Sequence, residues 1–120
     1  MLRGLLGLAA AAALAAGLPA VAEAQGCFYP NQWTSWKAPD DHTIFLKVGQ
    51  RVFRLDIAGS CPSLHTGARL ITRTDATQLC RPVDWDLRVS DGGVASRCIV
   101  SNMTQLTSGQ IAALPPDARP

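Results

Sequence analysis

From His42 to Ile57 the chain reads HTIFLKVGQRVFRLDI, two runs of alternating apolar and polar residues on either side of Gly49-Gln50. Period-two alternation flanking a two-residue loop with glycine first predicts a β-hairpin. The loop length fixes the register. Leu46 is expected opposite Phe53 and Ile44 opposite Leu55, so that Ile44, Leu46, Phe53, Leu55 and Ile57 share one face and Phe45, Lys47, Val52, Arg54 and Asp56 the other.

The remaining elements are read around this hairpin. Before it, Gln32 to Lys37 lies between Pro30 and Pro39 and predicts a strand, with Asp40 and Asp41 in the turn. Trp33 and Trp36 are three apart, which places them on opposite faces of a regular strand, one in the core and one at the surface. After it, Cys61-Pro62-Ser63-Leu64-His65 predicts a short helical turn with proline at its first position. Arg69 to Thr74 is a β-branched run that predicts a strand, and Asp75 to Gln78 a polar loop. Val83 to Val89 alternates cleanly, with Val83, Trp85, Leu87 and Val89 on one face and Asp84, Asp86 and Arg88 on the other. Ser90-Asp91-Gly92-Gly93 marks a turn and Arg97 to Met103 the returning strand. Thr107 and Gln110 form a capping box for a short helix that turns Ile111 and Leu114 inward and stops at Pro115-Pro116. About five antiparallel strands with short connections predict an all-β domain, a small antiparallel barrel or curled sheet with a short C-terminal helix.

Residues 1–24 add an address. A basic start at Arg3, an apolar run from about Leu5 to Leu18 and Ala22-Glu23-Ala24 make a secretory signal peptide with cleavage expected after Ala24. The run is shorter than the roughly 20 apolar residues a membrane span needs, so no membrane span is expected. Lipid anchoring at Cys27 is disfavoured, because Ala24 stands where a bulky aliphatic residue is required three positions before the cysteine. Residues 25–120 are then a single domain of 96 residues out of 120, small enough for covalent staples to matter.

Its four cysteines, Cys27, Cys61, Cys80 and Cys98, form an even set in an exported chain and predict two disulfides, with three connectivities open. Cys61 closes the hairpin and Cys80 the following unit, so a Cys61 to Cys80 bridge is expected, leaving Cys27 for Cys98. Zinc sites and thioredoxin-like centres both use close cysteine pairs, which this spacing lacks. No metal and no cofactor are implied.

Charge narrows the partners. Eleven Lys and Arg against nine Asp and Glu give a net charge of +2, and removing Arg3 and Glu23 leaves that balance unchanged. Nothing here resembles the clustered basic footprint of a nucleic-acid binder. Three constellations can carry chemistry. Asp40-Asp41-His42 joins two carboxylates to an imidazole, a combination used in acid-base or metal sites and also by ordinary turns. Asp84 and Asp86, on one face of a strand, have the separation of a glycosidase pair or simply of a wet strand face. Phe45, Lys47 and Arg54, on the outer face of the hairpin, form a basic and aromatic patch able to take an anionic chain or an acidic loop, unless the C-terminal helix covers it. Trp33 and Trp36 suggest a platform for sugar or peptide if exposed. No Gly-x-Ser-x-Gly elbow marks a nucleophile. Asn102-Met103-Thr104 matches a glycosylation acceptor, which is expected to stay idle.

The order of a first Cys27, then SWKAPDDHTIFLKV, a segment ending SCPSL, a later LCRPVD and a final RCIV resembles a bacterial family of small exported cysteine-containing proteins, known as a domain of unknown function. The likeness covers nearly the whole mature chain. It implies a periplasmic or surface location and paired cysteines, and carries no catalytic residues.

Together these features predict a periplasmic or secreted, non-catalytic binding or interaction module. Its partner would be a protein or cell-envelope ligand, and inhibition of wall-degrading enzymes or proteases is one use such domains serve. The alternative is a small periplasmic enzyme, either a hydrolase using the paired carboxylates or a thiol-redox protein using a labile disulfide.

Overall fold

The computed structural model describes residues 26–72 and 78–120. The signal segment with its cleavage site, and most of the loop expected over Asp75 to Gln78, lie outside the described residues.

The β2–β3 hairpin that organises the chain joins β2 (Thr43–Val48) to β3 (Arg51–Ile57), and the register is the one its sequence dictates: Ile44 opposite Leu55, Phe45 opposite Arg54, Leu46 opposite Phe53. Gly49 turns the corner at φ 61°, a backbone conformation that glycine takes without a Cβ penalty. Ile44, Leu46, Phe53 and Leu55 are fully buried in the main core. Phe45 and Val52, on the opposite face, are buried too, under a second and smaller cluster.

Strand β1 (Trp33–Asp40) flanks the hairpin on one side and β7 (Val100–Gln105) on the other, giving a four-stranded antiparallel sheet in the order β1-β2-β3-β7. A second antiparallel sheet has the order β4-β5-β6, from Arg69–Ile71, Arg88–Asp91 and Val94–Arg97. Leu87 and Val89, from and beside β5, enter the same core as the hairpin's apolar face. The all-β, antiparallel reading holds, with one short α-helix among the described residues, α1 (Ser108–Ala112). Among the described residues the two sheets are not closed into a barrel.

Where the strands differ from expectation, a local cause is visible. Val83 to Val89 is not one strand. Pro82, with no N–H to give, opens a 3-10 turn over Pro82–Asp84, and the Asp84 carboxylate accepts the backbone N–H of Cys80 and of Arg81, each at 2.9 Å. Val83 consequently stands 77% exposed, while Trp85, Leu87 and Val89 face the core as the alternation requires. The return strand also divides. Gly92 and Gly93, at φ 68° and 92°, make a two-residue hairpin turn that pairs Asp91 with Val94, so the return begins at Val94. Cys98 and Ile99 then carry the chain from the smaller sheet to the larger, where β7 pairs with β3.

Trp33 and Trp36 share a face instead of lying on opposite ones. Trp33 is opposite Val48 and Ser35 opposite Lys47, so two steps on β1 match one on β2. That β-bulge shifts the alternation by one residue and sets Trp36 opposite Leu46, on the core side with Trp33.

The disulfides are Cys27–Cys80 and Cys61–Cys98, not the expected Cys61–Cys80 and Cys27–Cys98. Phe28 forms an isolated antiparallel bridge with Leu79. Cys27 and Cys80 are then the adjoining pair on that bridge, with Cα atoms 4.4 Å apart, the close spacing of a pair that exchanges no main-chain hydrogen bonds. Because β3 and β7 are antiparallel and end together at Ile57 and Val100, the chain after β3 and the chain before β7 leave from one end, which brings Cys61 to Cys98. Sequence proximity favoured Cys80 for Cys61, but the sheet pairing decides the partner.

The C-terminal segment folds back over the outer face of the larger sheet. Thr107 caps α1 as read, its hydroxyl accepting the Gln110 amide at 3.2 Å while the Gln110 side chain accepts the Thr107 amide at 2.8 Å. Leu106, Ile111, Leu114 and Ala118 pack on Phe45 and Val52.

Candidate functional site

At one corner of the larger sheet Asp40, Asp41 and His42 come together, with one potential ligand atom from each within 4.8 Å of the others and all three exposed. Their contacts are those of a turn. Asp40 accepts the His42 amide at 3.0 Å, and Asp41 lies 3.0 Å from His42 Nδ1. Partial burial works against the Asp40 carboxylate, but the hydrogen bonds from His42 and Thr43 and the charge of His42 outweigh it and hold its pKa below the ordinary value. The Asp41 hydrogen bond, then the charge of Asp40, raise His42 above its ordinary 6.5. The shift enlarges the protonated fraction of the imidazole near neutral pH, and that proton must leave before the same nitrogen can take up a metal.

Asp84 and Asp86 do not share a strand face, because Asp84 ends the 3-10 turn and Asp86 lies before β5. Asp84 belongs to the 3-10 turn, and the amides of Cys80 and Arg81 lower its pKa, the opposite of what a general acid needs. Asp86 has its carboxylate 3.9 Å from Arg97 Nε. Each carboxylate is engaged separately.

The patch read on the hairpin is assembled as the register requires, but two of its three members are occupied. The Phe45 ring lies under the C-terminal segment, and the Arg54 guanidinium sits 5.9 Å from the centre of that ring and donates to Asp56 at 2.9 Å. Lys47 stands exposed beside them. The tryptophans serve packing: Trp33 stacks on Trp85 at 5.9 Å, and both meet the fully buried Phe28, at 6.5 and 6.1 Å. All four cysteines are closed in disulfides, and their partners are 53 and 37 residues apart in sequence, unlike a redox motif on one turn.

The arrangement that sequence reasoning missed is on the smaller sheet. Leu70, Val89 and Ser96 are partners across its three strands on the core side. The alternation therefore turns Arg69, Ile71, Arg88, Ser90, Ala95 and Arg97 outward, with Ile71, Arg88 and Arg97 in one row and Arg69, Ser90 and Ala95 in the next. All three arginines are exposed. Arg88 is the direct cross-strand partner of Arg97. The Cys98 amide donates to Leu87 O at 3.1 Å, so the adjoining Arg88 and Arg97 are a non-hydrogen-bonded pair, the type in which Cα atoms approach to about 4.5 Å. Like charges so placed destabilise a sheet. Asp86 neutralises part of the Arg97 charge, whereas among the described residues no carboxylate lies within 4.0 Å of Arg69 or Arg88. The clue was present in the sequence: a two-residue Gly92-Gly93 turn makes Arg88 and Arg97 partners by counting outward from Asp91 and Val94. A return strand begun at Arg97 hides it.

No family model matches the chain, and no curated protein or solved structure matches it either. Among the described residues no helix is long and apolar enough to cross a membrane.

Proposed function

We propose that this chain is an exported, non-catalytic binding module that takes an anionic partner on the outward face of its smaller sheet. The observation that carries this reading is Arg88 directly opposite Arg97. A face that had only to be wet would be stabler with opposite charges across the strands, and here arginine faces arginine with Arg69 in the neighbouring row. Arginine is also the side chain best suited to hold carboxylate or phosphate through paired donors.

Two closed disulfides fit an oxidising compartment, in keeping with the signal peptide read at residues 1–24 and with a periplasmic or secreted location. The same features support placing the chain with the bacterial family of small exported cysteine-containing proteins that it resembles. A partner protein with an acidic surface, such as an envelope enzyme held in check by the module, or an anionic envelope polymer would satisfy the arginines.

Titration with polyglutamate, followed by amide chemical shifts, tests the reading. Shifts should concentrate on β4, β5 and β6 and vanish in Arg88→Ala combined with Arg97→Ala. Shifts spread evenly over the surface, or centred on Lys47 and Arg54, would contradict it.

A further inference from the structure

The smaller sheet ends in an open edge. Because the Cys98 amide donates to Leu87 O, the alternation along the hairpin makes Val89 with Ser96 and Asp91 with Val94 the bonded pairs. The main-chain N–H and C=O of Ala95 and Arg97 therefore point away from β5. Among the described residues neither of these groups meets a main-chain or side-chain partner across that edge. Ala95 and Arg97 are themselves exposed, and no proline or bulge interrupts β6. On the face opposite the arginines, Val94 at the hairpin tip is 67% exposed. An unpaired strand edge of this kind is a template for another strand.

We propose, resting on the anion-binding reading above, that the edge of β6 accepts an extended segment of a partner protein as a fourth strand, with acidic residues at alternate positions of that segment. Strand addition satisfies the outward groups of Ala95 and Arg97 through main-chain bonds, and side-chain alternation supplies specificity. Every second side chain of the added strand falls on the outward face beside Arg97, one strand from Arg88, where a carboxylate relieves the repulsion between them. The intervening side chains fall on the side of Val94, where an apolar or threonine side chain fits. Charge also selects against a second copy of this chain. Two β6 strands paired about Ser96 would set Arg97 of each diagonally across from the other and extend the arginine rows, adding like charge to like charge.

The test is amide hydrogen exchange on the full chain with a peptide alternating glutamate and threonine, and with tripolyphosphate as a compact anion. With the peptide, exchange at Ala95 and Arg97 should slow by about tenfold or more, the yield of one or two added hydrogen bonds. Tripolyphosphate should bind without slowing either. Ala95→Pro, which removes an N–H that β5 does not use, should weaken the peptide and spare tripolyphosphate. If that variant does not fold, a peptide N-methylated at every second residue makes the same comparison with the unaltered protein.

Peptide binding that leaves both amides unprotected, or that ignores N-methylation in either phase, overturns the added strand while the anion reading stands. Protection without peptide that grows with protein concentration would mean that a second copy covers the edge, and overturns it as well. Failure of both peptide and tripolyphosphate to bind removes the anion reading together with the strand.

Discussion

Phe28 and Leu79 exchange both main-chain hydrogen bonds, at 3.2 Å from the Phe28 amide and 2.7 Å from the Leu79 amide, and this one pairing sets Cys27 beside Cys80. Peptide mapping under non-reducing conditions should return Cys27 joined to Cys80 and Cys61 joined to Cys98. On the chain-entropy account, closures of 53 and 37 residues each contribute about 4 kcal/mol. A recovered Cys61 to Cys80 peptide would refute the bridge as the organiser of this end of the molecule.

The two faces of the hairpin make separable predictions. Phe53→Ala opens a cavity in the main core beside Phe28, whose ring centre is 4.8 Å away, and should cost about 3–5 kcal/mol in denaturant unfolding. Phe45→Ala instead undercuts Leu106, Ile111 and Leu114. It should speed amide exchange over α1 more than over β2 and β3. Equal acceleration everywhere would mean that the C-terminal segment does not open on its own.

His42 at the acidic corner and Asp84 in the 3-10 turn should respond to pH in opposite directions. His42 has a folded pKa above its ordinary 6.5, so its pairing with Asp41 and Asp40 stabilises fully below about pH 6.5 and is lost as pH rises through the raised value. Asp84 has a folded pKa below 3.8, so its hydrogen bonds stabilise above that value and are lost as pH falls through the lowered one. Proton NMR titration should place His42 above a histidine in an unfolded peptide, and Asp41→Asn should bring it down. Asp84→Ala, which uncaps the turn, should cost about 0.5–2 kcal/mol at neutral pH and less in acid.

The hairpin was legible because alternation and a two-residue loop together leave one register, and the capping box at Thr107 because its two hydrogen bonds are local. The paired tryptophans were not, since a bulge at β1 changes parity without leaving a residue signature at Thr34. The same holds for Val83, where Pro82 and the reach of Asp84 overrode a clean alternation. The patch of Phe45, Lys47 and Arg54 was placed correctly on one face, but what covers that face is a long-range contact. The arginine face needed the start of β6, which the Gly92-Gly93 turn supplies once it is taken as a two-residue loop.

The most direct measurement is Arg88→Glu, read for stability and for polyglutamate affinity in the same buffer. If Arg88 faces Arg97 for the sake of an anionic partner, glutamate there gives the sheet an opposite-charge pair. Unfolding should then shift upward, by about 0.2–1 kcal/mol. Affinity should fall by about tenfold or more, because a carboxylate now stands where the ligand's would be. A variant that is less stable and binds polyglutamate as well as the parent would contradict the account.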